Sequence, residues 1–150
     1  MASFTADDVT AVTANVDAIA DQLVALSHEL SADPELSYEE HRAAARCADL
    51  LEQHGFDVER TSYGLPTSFA ARLGSGDTHV VICAEYDALP GVGHACGHNI
   101  IAASGLGAGI AITVPHANEV ACSLVFRQFT IHRTGAAGEP GGQRAPIPDL

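Results

Sequence analysis

The sequence predicts an α/β layer protein, and two observations carry that reading. Its elements fall in the order helix, helix, three strands, helix, strand. The third strand, His79 to Ala84 (HVVICA), is a nearly continuous apolar run, as expected of a strand buried on both faces of a helix-covered sheet.

The first helix follows from spacing. Val9, Val12, Val16, Ile19, Leu23, Leu26 and Leu30 recur at intervals of three and four, which places all seven on one stripe. Thr5 suits the N-cap, and Asp7 and Asp8 lie in the first turn, where the helix dipole favours negative charge. The repeat covers only about three heptads before Asp33-Pro34, so a core-facing helix is expected rather than a coiled coil, with Asp17 and Asp21 in water. Ser37-Tyr38-Glu39-Glu40 reads as a capping box for a second helix. That helix runs through Ala44, Cys47, Leu50 and Leu51 and ends at Gly55, with Cys47 as a small core residue. His28, His41 and His54 have no partners at ligand spacing and read as surface or capping groups.

Beyond Gly55 the period changes. Phe56 to Arg60 and Thr67 to Leu73 alternate like strands, separated by a turn at Gly64-Leu65-Pro66. Gly74-Ser75-Gly76-Asp77 is a second turn. Ile100 to Thr113 carries Gly105, Gly107 and Gly109 and reads as a tightly packed buried helix despite the glycine penalty. Val120 to Phe126 is the last strand.

Composition narrows the functions. The 150 residues hold 19 acids against 7 bases, all arginine, for a net charge of −12. That balance disfavours nucleic acid and anionic membrane surfaces, which need clustered basic residues. Hydrophobic residues at 47% suffice for one core, and 17% charged residues argue against wholesale disorder. The longest apolar runs fall short of the ~20 residues that span a bilayer. MASFTADDVTAV lacks the basic and apolar regions of a secretory signal, and Cys47, Cys83, Cys96 and Cys122 are scattered. A cytoplasmic protein without disulfides is therefore expected. Charge is unevenly spread: residues 1–119 hold 17 acids and 4 bases, whereas residues 120–150 hold 2 acids and 3 bases.

One segment carries chemistry: Glu85-Tyr86-Asp87-Ala88-Leu89-Pro90-Gly91-Val92-Gly93-His94-Ala95-Cys96-Gly97-His98-Asn99. It begins where the apolar strand ends, and open α/β sheets place their sites beyond the carboxyl ends of strands. Cys96 and His98 alternate, so an extended or loop backbone could aim both at one point, and thiolate and imidazole are good zinc ligands, at about 2.3 and 2.0 Å. His94 is open between a third ligand, a substrate contact and a loop histidine. Gly105-Leu106-Gly107 makes a poor phosphate loop, because no Lys-Ser/Thr follows it.

The full string EYDALPGVGHACGHN closely resembles the signature of the M20 family of metallopeptidases, in the branch of aminobenzoyl-glutamate hydrolases and β-alanyl-type dipeptidases. ELSYEEHRAAARCADLLEQHGFDVE is similar to that family's opening helical hairpin and first strand, and the resemblance runs from about residue 16 to about residue 114. It implies the N-terminal part of a zinc-exopeptidase-like catalytic domain, helices on a mixed sheet, cleaving amide bonds of small N-acyl amino acids or dipeptides. The implied cofactor is a pair of divalent metals, zinc or manganese. Cys96 and His98 match the family's metal ligands in this loop, and Asp87 matches the aspartate that orients the metal site. Glu85 stands where a related branch places a histidine ligand, and is, with His94, an additional candidate.

The resemblance stops after the last strand. There the family pattern calls for paired glutamates that supply a general base and another ligand, but this chain reads Arg127-Gln128-Phe129-Thr130-Ile131-His132-Arg133-Thr134. Glu139 is a lone acid in a Gly/Pro-rich stretch, and no general base is identified. The expected organisation is a partial M20-type catalytic domain at 1–126 and an aberrant, disordered tail at 127–150, as from a frameshifted or truncated gene. On this reading the chain descends from a hydrolase but lacks the parts for turnover. The alternative is a non-catalytic fragment or pseudoenzyme with weak metal binding. A structural zinc site would need a second paired motif, and a thiol enzyme would need an oxyanion partner; neither is present in the sequence.

Overall fold

The computed structural model describes residues 5–113, 116 and 118–126. Its elements are α1 (Ala6–Ala32), α2 (His41–Gln53), β1 (Asp57–Arg60), β2 (Phe69–Leu73), β3 (Thr78–Ala84), α3 (His98–Thr113) and β4 (Val120–Phe126), in the predicted order, with a short 3-10 turn at Ser62–Gly64. The expected tail at 127–150 lies outside the described residues.

The sheet is mixed, in the order β1-β2-β4-β3. β1 and β2 pair antiparallel, as do β2 and β4, whereas β3 and β4 run parallel with Thr78 opposite Val120 and Ala84 opposite Phe126. A parallel pair needs a crossover, and α3 supplies it. Phe69, Leu106, Leu124, Phe126, Leu30 and Leu51 form the buried centre, where α3 and α2 meet the sheet.

α1 runs antiparallel to α3: Asn15 Nδ2 donates to the Ala111 carbonyl at 3.3 Å, and Asn99 Nδ2 donates to the Ser27 carbonyl at 3.2 Å. The glycines of α3 make this approach possible. A Cβ on Gly107 would come within 2.6 Å of Leu23 Cδ1, and one on Gly109 within 2.7 Å of Leu124 Cδ1. α3 is thus pressed between α1 and β4, and the helix penalty of glycine is offset by contact.

Four expectations need correction. The α1 stripe is not buried throughout: Ile19, Leu26 and Leu30 are, Leu23 is half-buried, and Val9 is 62% exposed. With 27 residues against the 16 of α3, α1 overhangs its support at the N-terminal end. β3 is not covered on both faces either. Among the described residues it stands at the sheet edge, Ile82 and Ala84 lie against Gly105, and His79, Val81 and Cys83 are exposed. The cap of α2 is not Ser37. Glu35 Oε2 accepts from the backbone N–H of Arg42 and of Ala43, both at 2.8 Å, while Ser37 turns elsewhere. Finally, α1 is long and apolar enough by length and mean hydropathy to cross a membrane, which counting continuous apolar runs does not reveal. In this fold its stripe packs on α3, and Asp17 and Asp21 are exposed on the other side.

Other expectations hold. Thr5 and Asp8 form a reciprocal capping box at the start of α1. Gly55, at φ +86°, ends α2 in the left-handed region that glycine enters without strain. Cys47 is wholly buried, and burial pushes its thiol far up.

Candidate metal site at the end of the third strand

The segment that carries chemistry begins as β3 ends at Ala84, at the carboxyl end of the parallel strand pair. The alternation of extended backbone separates its first three side chains. Tyr86 turns into the core, where its ring stacks on Phe126 at 5.6 Å and Phe69 at 6.3 Å, and its hydroxyl donates to the Thr67 carbonyl. Burial, reinforced by Cys47, Glu40 and Glu35, pushes its phenol well above the ordinary range. Glu85 and Asp87, its neighbours, both face His98.

His98 opens α3, and its ring is held from one side. Nδ1 lies 2.7 Å from Asp87 Oδ1 and 3.0 Å from the Asp87 carbonyl, so Nδ1–H donates to both. Asp87 is 3% exposed, a costly place for a carboxylate without a partner. A ring that donates through Nδ1 keeps its lone pair on Nε2. Nε2 in turn faces Glu85 Oε1 at 3.8 Å, a lone pair opposite a carboxylate. Two acceptors so placed suit a cation between them.

Backbone links fix the loop. Ala88 N–H donates to the Glu35 carbonyl at 2.7 Å within a parallel bridge between Leu36 and Ala88, and Leu89 pairs with Gly93. His94 to Gly97 is a turn, closed by Gly97 N–H donating to the His94 carbonyl at 2.9 Å, with Gly97 at φ +84°. The next residue after that glycine starts α3. Asn99 locks the first turn of α3 to α1 by donating to Ser27 Oγ at 3.0 Å.

His98, Asp87 and Glu85 are therefore brought together. Cys96 is exposed on the turn before α3. His94 lies near enough to His98 and Asp87 to feel their charges; burial foremost, then His98, pushes its imidazole down, against opposing pulls from Asp87 and the Leu30 carbonyl. Its Nδ1 is buried without a hydrogen-bond partner. Among the described residues, no three His, Cys, Asp or Glu side chains converge closely enough to hold a metal ion as they stand. The types of donor present nevertheless suit a divalent cation: an oriented imidazole, an exposed thiol two residues before it, a flanking carboxylate and an orphaned ring nitrogen.

Sequence reasoning missed Ser37. Its Oγ donates to Asp87 Oδ2 at 2.8 Å, across 50 residues. The only signal is the Glu-Leu-Ser-Tyr-Glu-Glu string, whose letters fit a helix cap equally well.

No family model matches the chain. It is 38% identical over 107 residues to the Xaa-Arg dipeptidase of Mus musculus, covering 65% of this chain and 25% of that protein. To a subunit of the p-aminobenzoyl-glutamate hydrolase of Escherichia coli it is 33% identical over 96 residues, covering 53% of this chain and 20% of the relative. The chain thus spans about a quarter or less of these relatives' length. Among solved structures it resembles a dinuclear metal-binding M20 peptidase of Bacillus subtilis, with a TM-score of 0.64 and 24% identity over 73% of this chain and 35% of that one. A putative aminohydrolase from methicillin-resistant Staphylococcus aureus has a TM-score of 0.65 at 20% identity, covering 78% of this chain and 34% of that one. At these identities the structures speak for the fold.

Proposed function

We propose that this chain, which carries the N-terminal part of an M20-family metallopeptidase catalytic domain, supplies the metal-holding loop of a hydrolase for amide bonds in small dipeptides or N-acyl amino acids. The observation that carries the reading is the Asp87–His98 hydrogen bond at 2.7 Å, which leaves Nε2 facing Glu85. Cys96 and His98 are the proposed ligands of a divalent metal, zinc or manganese, and Glu85 and His94 are additional candidates at its edge. Bound there, the metal would polarise a scissile carbonyl and acidify a water molecule.

The chain's own residues have narrower tasks. Asp87 holds the His98 ring and its tautomer. Tyr86 anchors the start of the loop in the core, and Asn99 anchors the start of α3. Proton removal from a bound water needs a positioned base. After β4 the sequence reads Arg127-Gln128-Phe129-Thr130, which offers none. We therefore propose that the 150-residue chain binds metal loosely and does not turn over substrate. Amide hydrolysis by the purified chain, with added zinc or manganese, on N-acyl amino acids and β-alanyl dipeptides tests this. No turnover is expected. Turnover that disappears in Cys96→Ala would contradict the proposal and point to Glu85 or Glu139 as a replacement base.

A further inference from the structure

We propose that the apolar face shared by α1 and α3 is the contact surface of a homodimer, in which α1 of one copy lies on α3 of the other. None of the candidate metal ligands Glu85, His94, Cys96 and His98 lines this face.

α3 is apolar on every side: from His98 to Thr113 it holds no Asp, Glu, Lys or Arg. A helix of that composition belongs inside a protein, yet α1 and the sheet cover only part of it. Ile100 is 60% exposed, and Ser104 is exposed as well. Ile100, Ser104 and Ala108 recur at intervals of four and so share one face. Beside them run Val16, Val24 and Ser27 of α1, with Val24 53% exposed. These residues line an open groove of about 430 Å³ between the two helices.

Size and charge point to a second copy as the occupant. α3 has 16 residues, a length of about 24 Å at 1.5 Å per residue. Two helices side by side, with axes ~8–10 Å apart, make a face about 20 Å wide. Two such faces bury on the order of 1,000 Å² in all, the lower bound for a specific interface, which fits a micromolar dimer. Charge selects the arrangement. α1 carries Asp17 and Asp21 exposed on its flank and has no Lys or Arg. Stacked on its own copy, α1 brings these carboxylates towards each other; stacked on the other copy's α3, it sets them against an uncharged helix. A two-fold axis along the groove makes that contact twice, and the small Ser104 and Ala108 let the helices approach closely. The same acids disfavour an anionic lipid surface, and serine hydroxyls alone give a small molecule little to orient on.

Sedimentation equilibrium of the full 150-residue chain, from about 5 to 500 µM, tests this by mass action. The parent is expected to pass from monomer to dimer across that range. Each copy carries −12, so raising sodium chloride from about 0.05 to 0.5 M should screen the repulsion and tighten the dimer about three- to tenfold. Ile100→Asp and Val24→Arg change the net charge in opposite directions at exposed positions, and far-UV circular dichroism checks that each folds. Each should weaken the dimer at least ~30-fold, because the two-fold axis buries every introduced charge twice. Val81→Asp, on the exposed side of β3, should dimerise as the parent does. Dimers of parent affinity in both folded Ile100→Asp and Val24→Arg overturn the proposal, as does loss of the dimer in Val81→Asp alone. A parent that stays monomeric also overturns it. Binding of an apolar dye that Ile100→Asp abolishes would then leave the face to a different partner, and no dye binding would leave it covered by residues 127–150.

Discussion

The helix-covered core and the loop beyond β3 are held by opposite means. Around α3 the fold relies on close apolar contact, with glycines where Leu23 and Leu124 approach and Leu30, Leu51 and Phe126 wholly buried. Around His98 it relies on directed polar contacts: Ser37 to Asp87, Asp87 to His98, and Asn99 to Ser27. Apolar packing is additive and tolerant of direction, whereas a hydrogen-bonded site loses its function when one partner turns. The two regions should therefore fail differently under mutation: one in stability, the other in ligand affinity.

Leu30→Ala is expected to break the core side of the comparison. It removes a wholly buried side chain and should cost about 2–5 kcal/mol in urea unfolding, while the folded fraction binds metal as the parent does. Asp87→Asn should break the other side. Removing an outer-shell carboxylate typically weakens metal affinity about 10- to 100-fold, and titration with cobalt(II) measures that directly. A variant that lost stability and affinity in proportion would show the two regions to be one unit.

Gly109→Ala sharpens the picture of the core. Three Leu124 atoms lie within 3.1 Å of the position a Cβ would take, so overpacking should outweigh the helix-propensity gain and leave a net loss of about 1–2 kcal/mol. Gly107→Ala should cost less, since the one severe approach there is the flexible tip of Leu23.

The smallest expected effect is at the surface. Hydrogen bonds from Arg42, then Arg46, hold the Asp33 carboxyl well below its ordinary value of 3.8. A depressed carboxyl stabilises the fold above that ordinary value, and the contribution is lost as pH falls through the folded-state value. Asp33→Asn should therefore flatten the melting temperature against pH below about 4 and change little near neutrality, because an exposed pair contributes little.

Legibility in the sequence depends on range. α1, α2, β1 and β2 follow from local periodicity, α3, β3 and β4 from apolar stretches, and the Gly55 stop follows from backbone chemistry that a single residue carries. The loop is legible as a motif because its chemistry-bearing residues sit within 15 positions. Ser37 is not, because its partner lies 50 residues away and a capping box fits the same letters. Glu35 outcompetes it for the cap through a carboxylate that reaches two N–H groups at once. The exposed face of β3 is hidden for a related reason. An apolar run reports hydrophobicity and not the strand's place in the sheet, and β3 lies at the edge among the described residues.

The metal-holding role proposed for Cys96 and His98 is tested most directly by cobalt(II) titration of the full chain, followed by optical absorption. A thiolate-to-cobalt band is expected to grow to saturation, to vanish in Cys96→Ala and to be strongly weakened in His98→Ala. Cobalt binding of equal affinity and spectrum in the parent and both variants would contradict that role.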